Sequence, residues 1–241
     1  MSEGRLLCIG DVHGCAPELE RLLGAVDPTD EDRLVFLGDY VDRGVASAAT
    51  VDLLCALAES RPRTVFLRGN HEEMFLDFIG EGGANKQAFF NNGGAQTLAS
   101  YGWEGEGRPP AAEVAHALVP QRHLEFFRRL VLTHEEDGFA FVHAGVRPGV
   151  PLARQERDDL LWIREEFLLV DHRLEETVVF GHTPYRDAWF GAARKIGLDT
   201  GCVYGGRLSC LDLTQGVLHQ VARGQRAATS RSVLADLDRV R

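Results

Sequence analysis

No apolar run in this sequence approaches the ~20 residues that a membrane-crossing helix requires. The first ten residues, MSEGRLLCIG, also lack the basic start and the ~7–15-residue apolar core of a secretory signal. Together these absences predict a cytoplasmic protein with no membrane partner. Cysteine is scarce and unpatterned: Cys8, Cys15, Cys55, Cys202 and Cys210 form no CxxC pair, and five leave one over in any full disulfide scheme. That argues against a disulfide framework and fits a reducing compartment. Cys8 and Cys210 lie in apolar, strand-like runs and read as buried thiols, whereas Cys15 directly follows a polar motif, where oxidation is the less favoured reading. Positive charge is also short, with 26 basic against 36 acidic residues and a formal charge of -10. Broad attraction to nucleic acid or to an anionic membrane is therefore not expected. A small anionic substrate remains open, because bound divalent ions can outweigh the global field. There is no internal repeat and no low-complexity tract.

What remains is an ordinary globular composition, 44% apolar and 26% charged over 241 residues, enough for one large α/β domain. Short runs rich in Val, Ile, Leu or Phe recur at 5–10, 33–38, 64–69, 139–144 and 177–181, most ending in glycine, and read as buried strands. Helical patterns separate the first three: 17–25 with Leu19, Leu22 and Leu23 on one face, and 47–59 with Val51, Leu54 and Leu57. The alternation is βαβαβ. After a helix beginning near Glu72, residues 80–120 are rich in Gly, Asn and Pro, which predicts an inserted cap, bounded at about 81–132. Further on, 195–198, 207–213 and 217–221 alternate apolar and polar residues and predict an antiparallel meander closing a second sheet. The domain so read spans 1–222. Residues 223–241 form a polar tail in which Val233, Leu234 and Leu237 leave a docked or a frayed terminal helix open.

Ligands of open α/β sheets bind outside the carboxyl ends of the strands. Here those ends read alike: Gly10-Asp11-Val12-His13-Gly14, Gly38-Asp39-Tyr40-Val41-Asp42-Arg43-Gly44, Gly69-Asn70-His71-Glu72, His143-Ala144-Gly145 and Gly181-His182-Thr183. Five successive strand ends offer carboxylate, imidazole or carboxamide beside glycines that permit close approach. Oxygen and imidazole donors without thiolate suit Mn, Fe or Zn, and their number suffices for two ions. Alone, an Asp-x-His-Gly is more simply a turn, and Asn70 could be a helix N-cap. Core packing gives no reason for ionisable groups at five strand ends at once.

The blocks GDVHG, GDYVDRG, LRGNHE, HAG and GHT resemble, in order, the signature blocks of the phosphoprotein-phosphatase branch of the calcineurin-like metallophosphoesterases. The resemblance runs from Arg5 to about Leu213 and is loosest in the cap. It implies a four-layer α/β sandwich of two mixed sheets flanked by helices, with two divalent metals, manganese first and iron or zinc as alternatives. By the same resemblance Asp11 and His13 hold one metal, Asp39 bridges, and Asn70, His143 and His182 hold the other. The family pattern makes His71 the general acid, oriented by Asp42. Leu161-Trp162-Ile163-Arg164-Glu165 resembles a phosphate-binding Trp-x-Arg element, so Arg43 and Arg164 are read as gripping phosphate. Tyr204, in Asp199-Thr200-Gly201-Cys202-Val203-Tyr204, is read as lining the mouth.

Outside these blocks, His116, His123, His134, His172 and His219 read as surface or satisfied residues, and Arg147 as a loop arginine with substrate contact left open. Asn91-Asn92-Gly93-Gly94 is most simply a turn, with a substrate contact as the alternative. The expected activity is that of a serine/threonine-type protein phosphatase acting on a phosphorylated protein or a small phosphoester. Related symmetrical diadenosine tetraphosphate hydrolases typically carry Val-Ala-Arg-Gly and a third block ending in Asp, against Val-Asp-Arg-Gly and Asn-His-Glu here. A diadenosine polyphosphate or nucleotide-cap hydrolase is therefore the alternative, and a non-catalytic scaffold the remote one.

Overall fold

In the computed structural model, which describes residues 4–105 and 108–241, alternation along the strands decides the layers. β1 (Leu6–Ile9) is apolar throughout because both its faces are covered. Leu7 and Ile9 point to a helical layer, Leu6 and Cys8 to a second sheet. α1 (Ala16–Val26) supplies Leu19 and Leu22 to the helical side, and Pro17 in its first turn costs no hydrogen bond. β2 (Arg33–Phe36) pairs parallel to β1, α2 (Ser47–Ser60) returns the chain with Val51 and Leu54 inward, and β3 (Thr64–Phe66) pairs parallel to β2. The expected βαβαβ unit is present.

α3 (Asn70–Phe78) leads into the cap, which is helical rather than loop-like: α4 (Lys86–Phe89), a 3₁₀ turn at Phe90–Asn92, α5 (Gly94–Ser100), α6 (Ala112–Leu118) and α7 (Gln121–Arg128). The cap buries Leu98, Val119 and Leu124 together with Phe89 and Phe127, whose rings pack on Phe75 of α3 at centroid distances of 5.4 Å each, Phe127 edge-on.

The second sheet holds β4 (Thr133–Glu136), β5 (Phe139–Val142), β6 (Thr177–Phe180), β7 (Trp189–Gly191) and β8 (Lys195–Gly197) in the order β4-β5-β6-β8-β7. Phe139, Phe141 and Val179 face the first sheet. Ala140, Val142, Val178 and Phe180 face an outer layer in which α8 (Arg157–Trp162) contributes Leu160 and α9 (Glu165–Leu169) contributes Phe167. Helices, sheet, sheet, helices: these are the four layers expected.

The expected meander is divided. β8 pairs parallel to β6 in the second sheet, whereas β9 (Arg207–Asp212) and β10 (Val217–Ala222) pair antiparallel to one another and join the first sheet, β9 beside β1. The segment between β8 and β9 reverses through left-handed Gly201 and Gly205, a conformation glycine adopts freely. Alternation announced the strands without naming their partners. Residues 223–241 contain β11 (Ala228–Ser232), paired to β10, and α10 (Leu234–Val240), which buries Leu237 and Val240 against the inter-sheet core.

Candidate active site

The carboxyl ends of β1, β2, β3, β5 and β6 converge, and with them the six residues read as metal ligands. Asp39 is central: its Oδ2 lies 3.4 Å from His13 Nε2 and 3.9 Å from His71 Nε2, and its Oδ1 lies 3.4 Å from His143 Nε2. Two buried groups, His13–Asp39–His71 and Asp39–His143–His182, each bring their ligand atoms within 4.8 Å of one another. Asn70 is not a helix cap, since Gly69 occupies that position. The Asn70 Oδ1 instead faces both His143 Nε2 and His182 Nδ1 at 2.9 Å. Asp11 completes the set: its Oδ2 accepts the His182 N–H at 3.0 Å, while its buried Oδ1 has no hydrogen-bond partner.

These residues fit divalent ions on four counts. An orphaned, buried carboxylate oxygen carries a desolvation penalty that a cation would relieve. Burial pulls His13 down to about 3 and also lowers His143 and His182, so all three imidazoles are neutral. The tautomers suit ligation, because His13 Nδ1 donates to the Val41 carbonyl and His143 Nδ1 to the Leu37 carbonyl, both at 2.8 Å, leaving each Nε2 lone pair inward. Finally, a Cβ on Gly69 would stand 2.1 Å from Asp39 Oδ1, and one on Gly181 would stand 2.0 Å from Asp11 Oδ1. Only glycine lets the two carboxylates sit where they do.

The backbone is bent to the same purpose. His13, Asp39, Asp42, Arg43 and His182 all hold left-handed φ angles between 44° and 69°. Each such non-glycine residue is strained by about 1–3 kcal/mol, which the surrounding structure must offset. Glu72 provides much of that restraint. Its buried carboxylate accepts the N–H groups of Asp39, Tyr40, Val41 and Gly69 at 2.7–3.2 Å, fixing the loop after β2 to the start of α3. Burial, with Asp39 close by, pushes that carboxyl up to about 7, and the amide donors pull the other way.

His71 Nδ1 lies 2.6 Å from Asp42 Oδ2. Burial disfavours a charged imidazole there, but Asp39 and Asp42 outweigh it and raise the His71 pKa. Asp42 is itself held from the cap: Thr97 Oγ1 donates to Asp42 Oδ1 at 2.6 Å and accepts the Asp42 N–H at 2.8 Å. Arg43 NH1 stands 2.6 Å from His13 Nε2, and Arg164 Nε donates to His182 Nε2 at 3.0 Å, so both guanidinium groups border the two metal-ligand clusters. Tyr204 is 61% exposed at the mouth, with its ring centroid 5.4 Å from the Arg43 guanidinium carbon.

Three further residues shape the site. Thr97 sits in the cap, where nothing marks a threonine as functional. Glu72 served in the sequence only to distinguish families. Asp199 follows β8, and the rule applied to the other strand ends would have found it. It is buried, accepts the Gly201 N–H at 2.9 Å, and is pushed up to about 6 by burial and by Asp39. Other residues lie apart. Arg147 is fork-bonded to Asp159 at 2.5 and 2.6 Å, and His123 is shared between Tyr101 and Asp52. His116, His134, His172 and His219 bond to Glu81, Glu136, Arg194 and Ser230.

A four-layer sandwich with buried carboxylates and imidazoles clustered at converging strand ends is the architecture of a metal-dependent phosphoester hydrolase. The chain belongs to the calcineurin-like phosphoesterase family, whose profile matches residues 4–202. It is 26% identical over 230 residues to a bis(5'-nucleosyl)-tetraphosphatase PrpE [asymmetrical] from Geobacillus thermodenitrificans, covering 84% of this chain and 88% of that one. A protein of the same name from Anoxybacillus flavithermus is 26% identical over 231 residues, with the same coverage. Among solved structures, one provisionally named a diadenosine tetraphosphatase superposes with a TM-score of 0.68 at 28% identity, covering 92% of this chain and 94% of that chain. A serine/threonine phosphatase from Saccharomyces cerevisiae superposes at 0.60 and 14% identity, covering 96% and 81%, a likeness of fold alone. Among the described residues no helix is long and apolar enough to cross a membrane.

Proposed function

We propose that this metallophosphoesterase hydrolyses the phosphoanhydride bridge of a dinucleoside polyphosphate, cutting the chain unequally. The observation that carries this reading is the nearly end-to-end alignment, 84% of this chain on 88% of the relative, with proteins named for that activity. It revises the protein-phosphatase expectation. Val-Asp-Arg-Gly and Asn-His-Glu argued against symmetrical tetraphosphate hydrolases, and they leave asymmetrical ones untouched.

Asp11, His13, Asp39, Asn70, His143 and His182 would hold two divalent ions, manganese first and iron or zinc as alternatives. Such ions supply an acidified water and neutralise phosphate charge. The chain's own groups do the rest. Arg43 and Arg164 would meet phosphate oxygens through the guanidinium N–H groups not already bonded to His13 and His182, holding the reacting phosphorus from two sides. His71, kept charged by Asp42, delivers a proton to the departing oxygen. Glu72 and Thr97 keep the loop that carries Asp39, Asp42 and Arg43 from relaxing.

A second reading, phosphoserine or phosphothreonine hydrolysis, is favoured by one observation: the 2.6 Å His71–Asp42 pair. An alkoxide leaving group needs a proton, whereas a polyphosphate leaves readily without one. The test is to restore the metal-stripped protein with Mn, Fe, Zn or Mg and compare kcat/KM on diadenosine tetraphosphate, a phosphoserine peptide and a phosphotyrosine peptide. Preference for the dinucleotide is expected; preference for the phosphoserine peptide would overturn the proposal in favour of the second reading.

A further inference from the structure

The mouth is electrically lopsided. Beside Arg164, a hollow of about 440 Å³ is rimmed by Asp158, Asp159, Glu165 and Glu166, with Arg147 already committed to Asp159. Beyond Arg164, whose place is at the reacting phosphate, the four carboxylates disfavour the remainder of a polyphosphate chain on this side. On the other side stands Tyr204, held on a 3₁₀ turn (Cys202–Tyr204) between left-handed Gly201 and Gly205. Its ring lines two hollows. One, of about 640 Å³, lies toward Arg43, Asn91, Asn92 and Gln96 of the cap. The other, of about 410 Å³, is lined by Tyr185, Arg186 and Arg207 and floored by glycine backbone. Both volumes fall within the ~300–1,000 Å³ of small-molecule sites.

Arg186 and Arg207 are exposed, and among the described residues neither has a carboxylate partner; the neighbouring Asp187 pairs with Arg231 instead. The two guanidinium groups and the two tyrosines line one hollow. Such a set binds a ligand that is both anionic and aromatic. Arg43 lies against the Tyr204 ring, leaving the ring's other face for a base.

We infer that the Tyr185–Arg186–Tyr204–Arg207 hollow receives the second nucleotide of the substrate. Its base stacks on Tyr204 and its phosphates meet Arg186 and Arg207. The polyphosphate bridge leaves the metal-ligand cluster past Arg43, away from the acidic rim. This inference rests on the dinucleoside-polyphosphate reading and names the residues that select for it.

Two measurements separate the inference from that reading. The first is the ratio of kcat/KM on diadenosine tetraphosphate to kcat/KM on p-nitrophenyl phosphate. It is expected to fall about tenfold in Tyr204→Ala and in the double variant Arg186→Ala/Arg207→Ala, mainly through KM, and to change less than about twofold in Tyr204→Phe. The second is inhibition of p-nitrophenyl phosphate hydrolysis by adenosine triphosphate relative to inorganic tripolyphosphate. The nucleotide is expected to inhibit about tenfold more strongly, a preference that Tyr204→Ala abolishes. Equal losses on both substrates in Tyr204→Ala would mean that the ring only steadies Arg43, and would overturn the subsite, as would unchanged ratios. Dinucleotide hydrolysis without a nucleotide preference sinks the subsite and spares the proposed function. A Tyr204-dependent nucleotide preference without dinucleotide hydrolysis does the reverse.

Discussion

β1 and β2 carry opposite electrostatic conditions at their two ends. At the amino end, Asp32 accepts the Arg5 N–H and two of its guanidinium nitrogens at 2.7–3.1 Å, and the Thr29 N–H at 2.8 Å. Although burial pushes the Asp32 carboxyl up, these donors outweigh it and bring it down to about 2. At the carboxyl end, burial, with the Asp199 and Asp39 charges close by, drives the Asp11 carboxyl well up. At the amino end the fold satisfies the Asp32 charge; at the carboxyl end it leaves Asp11 Oδ1 without a partner, which a bound cation would supply. Stability and function are thus separated along the same two strands, one turn of chain before them and one after.

The comparison breaks most visibly at Asp39. Asp39→Asn should lower kcat by at least ~10³ while circular dichroism and the melting curve stay native, since the carboxylate is central to both ligand groups; a near-normal rate would contradict that placement. His71→Asn should cost on the order of 10²-fold on an alkyl phosphoester and clearly less on p-nitrophenyl phosphate, whose leaving group needs little protonation. Equal losses would count against proton delivery by His71. At the opposite end, Asp32→Asn should leave kcat unchanged and cost about 2 kcal/mol of stability at pH 7, about a 30-fold change in the folding constant. The sign of its pH dependence follows from the depressed carboxyl: the contribution is complete above about pH 4 and is lost as pH falls through about 2. Acid denaturation of wild type and variant, followed by fluorescence, should therefore converge toward pH 2; a gap that persists there would refute the assignment. The smallest effect is expected at Thr97→Val, about tenfold in kcat through a misaligned Asp42, again greater on the alkyl ester. Wild-type kinetics in that variant would show that the cap does not position the proton donor.

The carboxyl end was the legible part. Asp11, His13, Asp39, Asn70, His143 and His182 each follow an apolar run directly and sit among glycines, so placement and residue type agree. The four layers are what the family resemblance implies, and the apolar runs agree with it, because continuous apolar strands require cover on both faces. Partner choice was not legible: the alternation in 207–213 and 217–221 is satisfied equally by either sheet, and only the reversal at Gly201 and Gly205 sends β9 back beside β1. The cap's helices are hidden because they are short, four to eight residues each, and bury only one to four residues apiece, too few for a periodic stripe. Thr97 was invisible for a different reason, since its role exists only in three dimensions, across 55 residues of chain from Asp42.

The cap's attachment has an evolutionary corollary. Gly93 O accepts the Arg43 N–H at 3.2 Å, and a Cβ at Gly93 would stand 2.4 Å from that nitrogen. Four residues later Thr97 grips Asp42. The cap segment that lines the hollow beside Arg43 is therefore also a strut for the arginine and the aspartate beneath it. A cap exchanged between relatives would have to carry both anchor points along to keep Arg43 and Asp42 in place.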